Sequence, residues 1–233
     1  MERPLVTYEV ENTIAVITMD DGKVNLLSLP MLMELNGALD RARTEKRVVV
    51  ITGREGVFSA GFDLATLRSG RYEALEMLRA GFELAERVLA FPTPVVMAVS
   101  GHSVAMGLFL VSSGDYRIGI SGQYKLTANE VAIGLTMPRA AVEILRQRLT
   151  PTYFNRAVAL AEAFSPEDAV VAGLLDRVVA ASELAEVANS TASMLAGLDM
   201  DAHAASKQRA RHHTLLSLRA AIEADFVELR AFA

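Results

Sequence analysis

Two stretches of this chain are apolar at every position, and each runs through small residues into a helix. That repetition limits the fold more than any other feature. Val48 to Ile51, inside the strand-like segment Arg47 to Thr52, and Val95 to Val99 do not alternate with polar residues. A strand with one face in water alternates, so these two suit strands covered on both faces, as in a parallel sheet. After the first run, Leu75, Leu78, Phe82, Ala85 and Leu89 recur at helical spacing until Pro92 and Pro94 end them. After the second, a short apolar helix leads to strand-like Tyr116 to Ile120 and to the segment Tyr124 to Glu130. Ahead of both, Leu5 to Val10 and Thr13 to Met19 alternate around Glu11-Asn12, which reads as an antiparallel hairpin. Ser28 then offers a cap and Pro30 a first-turn residue for a helix over about 29–43. From Pro138 onward the pattern is helical, interrupted by Val178-Val179. A joint near Leu198 to Asp201 precedes one long amphipathic helix over about Ala202 to Phe232. The whole predicts an α/β core with a helical C-terminal part.

With 233 residues, 52% hydrophobic and 22% charged, the chain suits one large domain or a core with a small appendage. A net charge of −5 provides no sequence-wide positive field, so nucleic acid is not an expected partner. The absence of cysteine excludes a disulfide framework, a thiol nucleophile and a thiolate zinc site, and fits a reducing compartment. The longest apolar runs, such as Val104 to Val111, fall far short of the ~20 residues of a membrane span. A soluble cytoplasmic protein with no membrane contact is expected. His203, His212 and His213 have no carboxylate or cysteine at metal-ligand spacing, so no metal site is expected.

The two small-residue turns, Gly56 to Leu64 and Ser100 to Gly107, each follow a buried strand and end at a helix start. Their backbone N–H groups are unobstructed and favoured for negative charge by the helix terminus. If the turns converge, two N–H donors flank one oxygen, an arrangement worth roughly 3 to 4 kcal/mol per donor for an oxyanion. Ordinary βα turns are the plain alternative for each.

Four segments in order, Val24 to Leu29, Gly56 to Leu64, Ala98 to Gly107 and Gly114 to Ile118, resemble the successive signatures of the crotonase (enoyl-CoA hydratase/isomerase) superfamily across about residues 5–180. The resemblance implies a spiral of repeated ββα units over 1–198. It also implies a C-terminal helical segment, 199–233, that serves trimerisation and covers coenzyme A. Acyl-CoA thioesters are the implied substrates, with coenzyme A entering as part of the substrate and no permanently bound cofactor. A homotrimer or a dimer of trimers is the implied assembly. Position by position, the oxyanion-hole amides fall on Ala60 and Met106, both acting through the backbone. Val24, Phe58, Ala60, Gly61, Phe62, Asp63 and Leu64 fall where relatives contact the substrate or coenzyme A, with Asp63 also readable as a helix cap. Lys207 could meet the coenzyme A phosphates, or be a solvated cation on a basic helix face. His102 reads as a structural imidazole.

The resemblance also bears on the reaction. Hydratases of the family use two glutamates. The first position falls on Phe109, which moves no proton, and the second on Glu130. Adding water to a conjugated double bond divides work between two acids, whereas moving a double bond from the 3,4 to the 2,3 position needs one base that shuttles a proton. Val131, Ile133 and Phe109 are expected to desolvate Glu130 and raise its pKa. The closer likeness is to the Δ3,Δ2-enoyl-CoA isomerase branch, with isomerisation expected ahead of hydration. Hydration, another activity such as thioester hydrolysis, and non-catalytic acyl-CoA binding remain as alternatives.

Overall fold

A computed structural model describes residues 3–69 and 72–230. In chain order the elements are β1 (Val6–Glu11), β2 (Ile14–Met19), α1 (Leu29–Thr44), β3 (Val48–Thr52), β4 (Gly56–Ser59), α2 (Leu64–Arg68) and α3 (Tyr72–Leu89). There follow β5 (Val95–Val99), β6 (Gly101–Val104), α4 (Met106–Ser113), β7 (Tyr116–Ile120), β8 (Leu126–Thr127), α5 (Arg139–Arg146) and α6 (Pro151–Leu160). The chain closes with β9 (Ala163–Phe164), α7 (Pro166–Ala172), β10 (Arg177–Val179), α8 (Leu184–Ala196) and α9 (Met200–Arg230).

Six strands form one sheet in the order β1-β2-β3-β5-β7-β10, parallel except for the β1-β2 hairpin. The unbroken apolar runs now have their physical reason. Val49 and Ile51 pack into the main core with α1, α3 and α4, while Val48, Val50 and Val96 pack on the opposite face under Leu184, Ala188 and Ala192 of α8. The hairpin turn is Asn12-Thr13, one residue later than expected, because Glu11 pairs with Ile14 and Asn12 takes the positive φ of 55° that asparagine tolerates. α1 begins as expected, with the Ser28 hydroxyl accepting from Met31 N and proline in the first turn.

The sequence does not announce a second sheet, β4-β6-β8-β9. Two of its strands, β4 and β6, lie inside the segments expected to be turns. The Tyr124 to Glu130 segment contributes only the two-residue β8. Strands of two to four residues carrying glycine show no periodicity, so hydropathy cannot reveal them. Their parallel pairing, Gly56 with Gly101 and Ser59 with Ser103, brings the ends of the two segments side by side.

α9 starts at Met200, so the latter half of the expected joint is already helix. It lies across α3 and α5 of the same chain, and Leu218, Ala221 and Ile222 enter the main core. Among the described residues no helix is long and apolar enough to cross a membrane. Residues 231–233 of the expected C-terminal segment lie outside the described residues.

Candidate active site

The first turn is held from below by buried polar groups. Asn25, fully buried, donates from Nδ2 to the carbonyls of Met19 (3.0 Å) and Phe58 (3.1 Å). Ser59 Oγ donates to the Asn25 carbonyl (2.7 Å) and accepts from Gly61 N (3.1 Å). The Ala60 N–H donates to the Val24 carbonyl at 3.0 Å. Ala60 is therefore not available as an oxyanion donor, contrary to the expectation, because the Val24 carbonyl, in the loop between β2 and α1, already accepts its N–H. The next amide toward the cavity, Phe62 N, meets no acceptor among the described residues, and neither does Met106 N at the start of α4.

The two turns converge at Gly61. A Cβ there would lie 2.8 Å from the Val104 carbonyl oxygen and 3.2 Å from Met106 N, and Gly61 has a φ of +87°. Only glycine meets both demands. Ala105 precedes α4 at φ 50°, ψ −123°, a sparsely populated conformation for a residue with a side chain. Replacing Ala105 by glycine is expected to stabilise the protein by about 1 kcal/mol and raise the melting temperature by a few degrees. An unchanged or lower melting temperature would show that this backbone is not strained.

A cavity of about 490 Å³ opens beside the two turns, lined by Ala60 and Phe62 of the first and by Val104 and Ala105 of the second. Its walls include Phe62, Leu67, Leu78, Phe82 and Phe109, with Glu130 among them. Phe109 stacks on Phe82 at 6.1 Å, and Phe62 meets Phe82 edge-on at 6.1 Å. Leu67, Leu78 and Phe82 line this cavity, whereas Leu75 stands in a small adjoining one.

Glu130 opens the short 3-10 turn Val131–Ile133 and is 7% exposed. Its Oε2 is buried with no hydrogen-bond partner. Burial pushes its pKa up to about 7, opposed by a weaker hydrogen bond with its own backbone N–H. The expected source of that desolvation needs correction. Val131 and Ile133 are 43% and 42% exposed, whereas Phe109 is 1% exposed and forms part of the wall. Phe109 and Ile133 share the cavity wall with Glu130, while Val131 does not.

The remaining expected residues divide. Ala60 and Leu64 line the cavity together with Phe62, and Val24 is partly exposed at the turn's outer edge. Phe58 is fully buried in the core and is not part of the wall. Asp63 caps α2, accepting from Ala65 N (2.9 Å) and Thr66 Oγ1 (3.0 Å). His102 Nδ1 accepts from Lys125 N (3.0 Å), a structural imidazole as expected. Lys207 is not at a ligand-facing surface: it is 7% exposed and pairs with Asp115 at 2.7 Å. Burial outweighs the attraction of Asp115 and pushes the Lys207 ammonium down to about 8.

Two features went unseen in the sequence. The Asn25–Ser59 support has no short-range signal beyond its place in a family motif. Glu228, from the end of α9, reaches the cavity wall and pairs with Arg139 at 2.5 Å, a juxtaposition that no local pattern encodes. Among the described residues no three His, Cys, Asp or Glu side chains are grouped to hold a metal ion.

Two converging small-residue turns, amides free at a helix start and one desolvated carboxylate across an apolar cavity define a site for stabilising and protonating an anion next to a carbonyl. The chain belongs to the enoyl-CoA hydratase/isomerase family, whose profile matches residues 9–232, and has the crotonase fold. It is 30% identical over 237 residues to the mitochondrial enoyl-CoA delta isomerase 1 of Rattus norvegicus, covering 99% of this chain and 82% of the rat protein. The apo structure of an enoyl-CoA isomerase from Mycobacterium tuberculosis, a protein that a second structure names a probable enoyl-CoA hydratase, superposes with a TM-score of 0.93 at 46% identity, over 97% of this chain and 99% of that one. An enoyl-CoA hydratase from Mycobacterium ulcerans superposes equally well, with a TM-score of 0.93 at 46% identity over 96% and 99% of the two chains. The protein is thus an enzyme of a family that acts on coenzyme A thioesters.

Proposed function

We propose that this enzyme shifts the double bond of a 3-enoyl-CoA to the 2-position, with Glu130 as the single proton shuttle. The observation that carries the proposal is the lone buried carboxylate facing an apolar cavity, with Phe109 opposite where a second acid would be needed for hydration. In this reading the thioester oxygen accepts from Phe62 N–H and Met106 N–H. Glu130 takes a proton from C2, the electron pair passes into the carbonyl to give a dienolate, and its negative oxygen is held by the two amides. Collapse of the dienolate reforms the carbonyl, moves the double bond to C2–C3 and takes the same proton from Glu130 at C4. The base must be ionised in the resting enzyme, and a pKa near 7 keeps it both available and basic enough. The rat relative named as an isomerase at 30% identity supports the same reading, as does the isomerase name given to the Mycobacterium tuberculosis protein in one of its two structures.

Hydration is the second reading, favoured by the carboxylate of Glu228 at the cavity wall and by the hydratase name of the Mycobacterium ulcerans structure. Non-catalytic acyl-CoA binding finds less support, because Glu130 remains desolvated. We further propose that the segment from Gly61 to Leu64, with Val24 at its edge, borders the bound thioester, and that residues 199–233 serve a homotrimer and cover coenzyme A.

A paired assay tests the reaction. Incubation with 3-hexenoyl-CoA is expected to create the absorbance of a conjugated enoyl thioester, and incubation with crotonyl-CoA to leave that absorbance nearly unchanged. Rapid loss of the crotonyl-CoA signal with no change from 3-hexenoyl-CoA would overturn isomerisation in favour of hydration.

A further inference from the structure

We infer that Gly81, in the middle of α3, is a positioning residue for both amide donors: it forms a notch in the helix that seats the side chains of Phe62 and Met106. The inference rests on the reading of Phe62 and Met106 N–H as the pair that holds the thioester oxygen.

Gly81 is buried inside an 18-residue helix, and its backbone has no positive φ. Nothing in its conformation demands glycine, and glycine weakens a helix interior relative to alanine. The reason for glycine is space. A Cβ at Gly81 would lie 2.4 Å from both Cε1 and Cζ of the Phe62 ring, and 3.6 Å from Cγ of Met106. The tip of the Phe62 ring therefore rests on the α3 backbone itself. Phe82 closes on its edge, with the two ring planes 72° apart. The Met106 side chain, fully buried, lies alongside. The two residues whose amides meet no acceptor among the described residues come from different turns, yet their side chains meet at one point on a third element.

An oxyanion donor works only when it sits within hydrogen-bond distance of the place the oxygen occupies in the transition state. Ser59 and Asn25 hold the polar underside of the first turn, and the ring of Phe62 holds its outer end against α3. A methyl group at position 81 leaves the ring no room, since 2.4 Å is well inside van der Waals contact. The ring must move, and with Phe82 closing on its edge its displacement carries the 61–63 backbone with it. The Phe62 N–H then no longer shares a focus with Met106 N–H.

The test is a double-mutant cycle of Gly81→Ala and Phe62→Leu, since leucine lacks the ring-tip atoms that meet position 81. Each protein is melted to establish folding. Two quantities are read: kcat and KM for the double-bond shift, and the red shift of a conjugated enoyl-CoA on binding. The red shift reports polarisation of the thioester carbonyl and needs no turnover. Gly81→Ala is expected to keep its KM within about threefold, to lose at least about tenfold in kcat, and to lose most of the red shift. In the Phe62→Leu background the same substitution is expected to change kcat by no more than about twofold. A Gly81→Ala enzyme with full red shift and full kcat, or an equal loss in both backgrounds, overturns the notch. A wild-type protein that produces no red shift overturns the donor pair and the notch together. A red shift without isomerisation overturns only the reaction, and the notch is then decided by the red shift across the cycle.

Discussion

Replacing Glu130 by glutamine is expected to lower turnover by about a thousandfold or more while leaving the fold and coenzyme A thioester binding intact. Glutamine has the same shape and no usable proton, and proton transfer by a positioned side chain contributes about 10² to 10⁴ in rate. In the proposed mechanism one group performs both transfers, so the loss lies at the upper part of that range. The same substitution has a stability signature. The Glu130 pKa rises from 4.5 in the unfolded chain to about 7 in the folded protein. Between those values the unfolded chain has released the proton that the folded protein still holds. Stability therefore falls as pH rises through this window, is free of the penalty below about 4.5, and levels off above about 7, for a total of roughly 3 kcal/mol. Glutamine removes the charge. The variant should melt several degrees above the wild type at pH 8 and level with it at pH 4. Wild-type kcat/KM should climb with pH through about 7 as the base ionises. Turnover within tenfold of wild type in the variant, or a rate indifferent to pH around 7, would remove Glu130 from the mechanism.

Replacing Asp115 by alanine is expected to be the most destabilising single change outside the cavity, at about 3 to 5 kcal/mol and roughly 10 °C in melting temperature. Its two oxygens accept from three donors: Val95 N (2.7 Å), Lys207 Nζ (2.7 Å) and Arg211 (2.9 Å). Lys207 and Arg211 belong to α9, and Asp115 sits at the entrance to β7, so this carboxylate pins the C-terminal helix to the central sheet. Removing it leaves a buried ammonium and a strand-end N–H without their acceptor, in surroundings that cannot solvate them. Lys207→Met is expected to cost much less, because Asp115 keeps its bonds to Arg211 and Val95. Thermal melts of the two variants decide the matter, and a loss below 1 kcal/mol for Asp115→Ala would show that α9 is held by its apolar face and its other ion pairs, such as Arg139–Glu228, rather than by Asp115. Turnover by the folded fraction should be unaffected, since Asp115 is remote from the cavity wall.

These two residues also mark how far the sequence could be read. Glu130 was legible: its place in an ordered series of family motifs, and Phe109 at the companion position, point to one carboxylate before any coordinates. Asp115 and Lys207 were not. Lys207 reads as a basic residue on an exposed helix face, and its burial follows from a partner 92 positions earlier in the chain. The amide donors fall between. The two turns are visible as small-residue segments after buried strands, but the Ala60 N–H donates to the Val24 carbonyl on another segment. Which amide is left free is a fact of contacts between distant loops, not of motif spacing.

Local chemistry, then, was enough to determine the hairpin, the capped first helix and the doubly covered strands, while the family resemblance pointed to Glu130 as the proposed base. Each of these elements depends on periodicity or on residue type within a few positions. Contacts across many residues decided the second sheet, the Ala60 N–H bond to Val24, the meeting of the Phe62 and Met106 side chains at Gly81 and the burial of Lys207. A hydrogen bond goes to whichever acceptor the fold brings within about 3 Å, and one-dimensional spacing does not carry that distance.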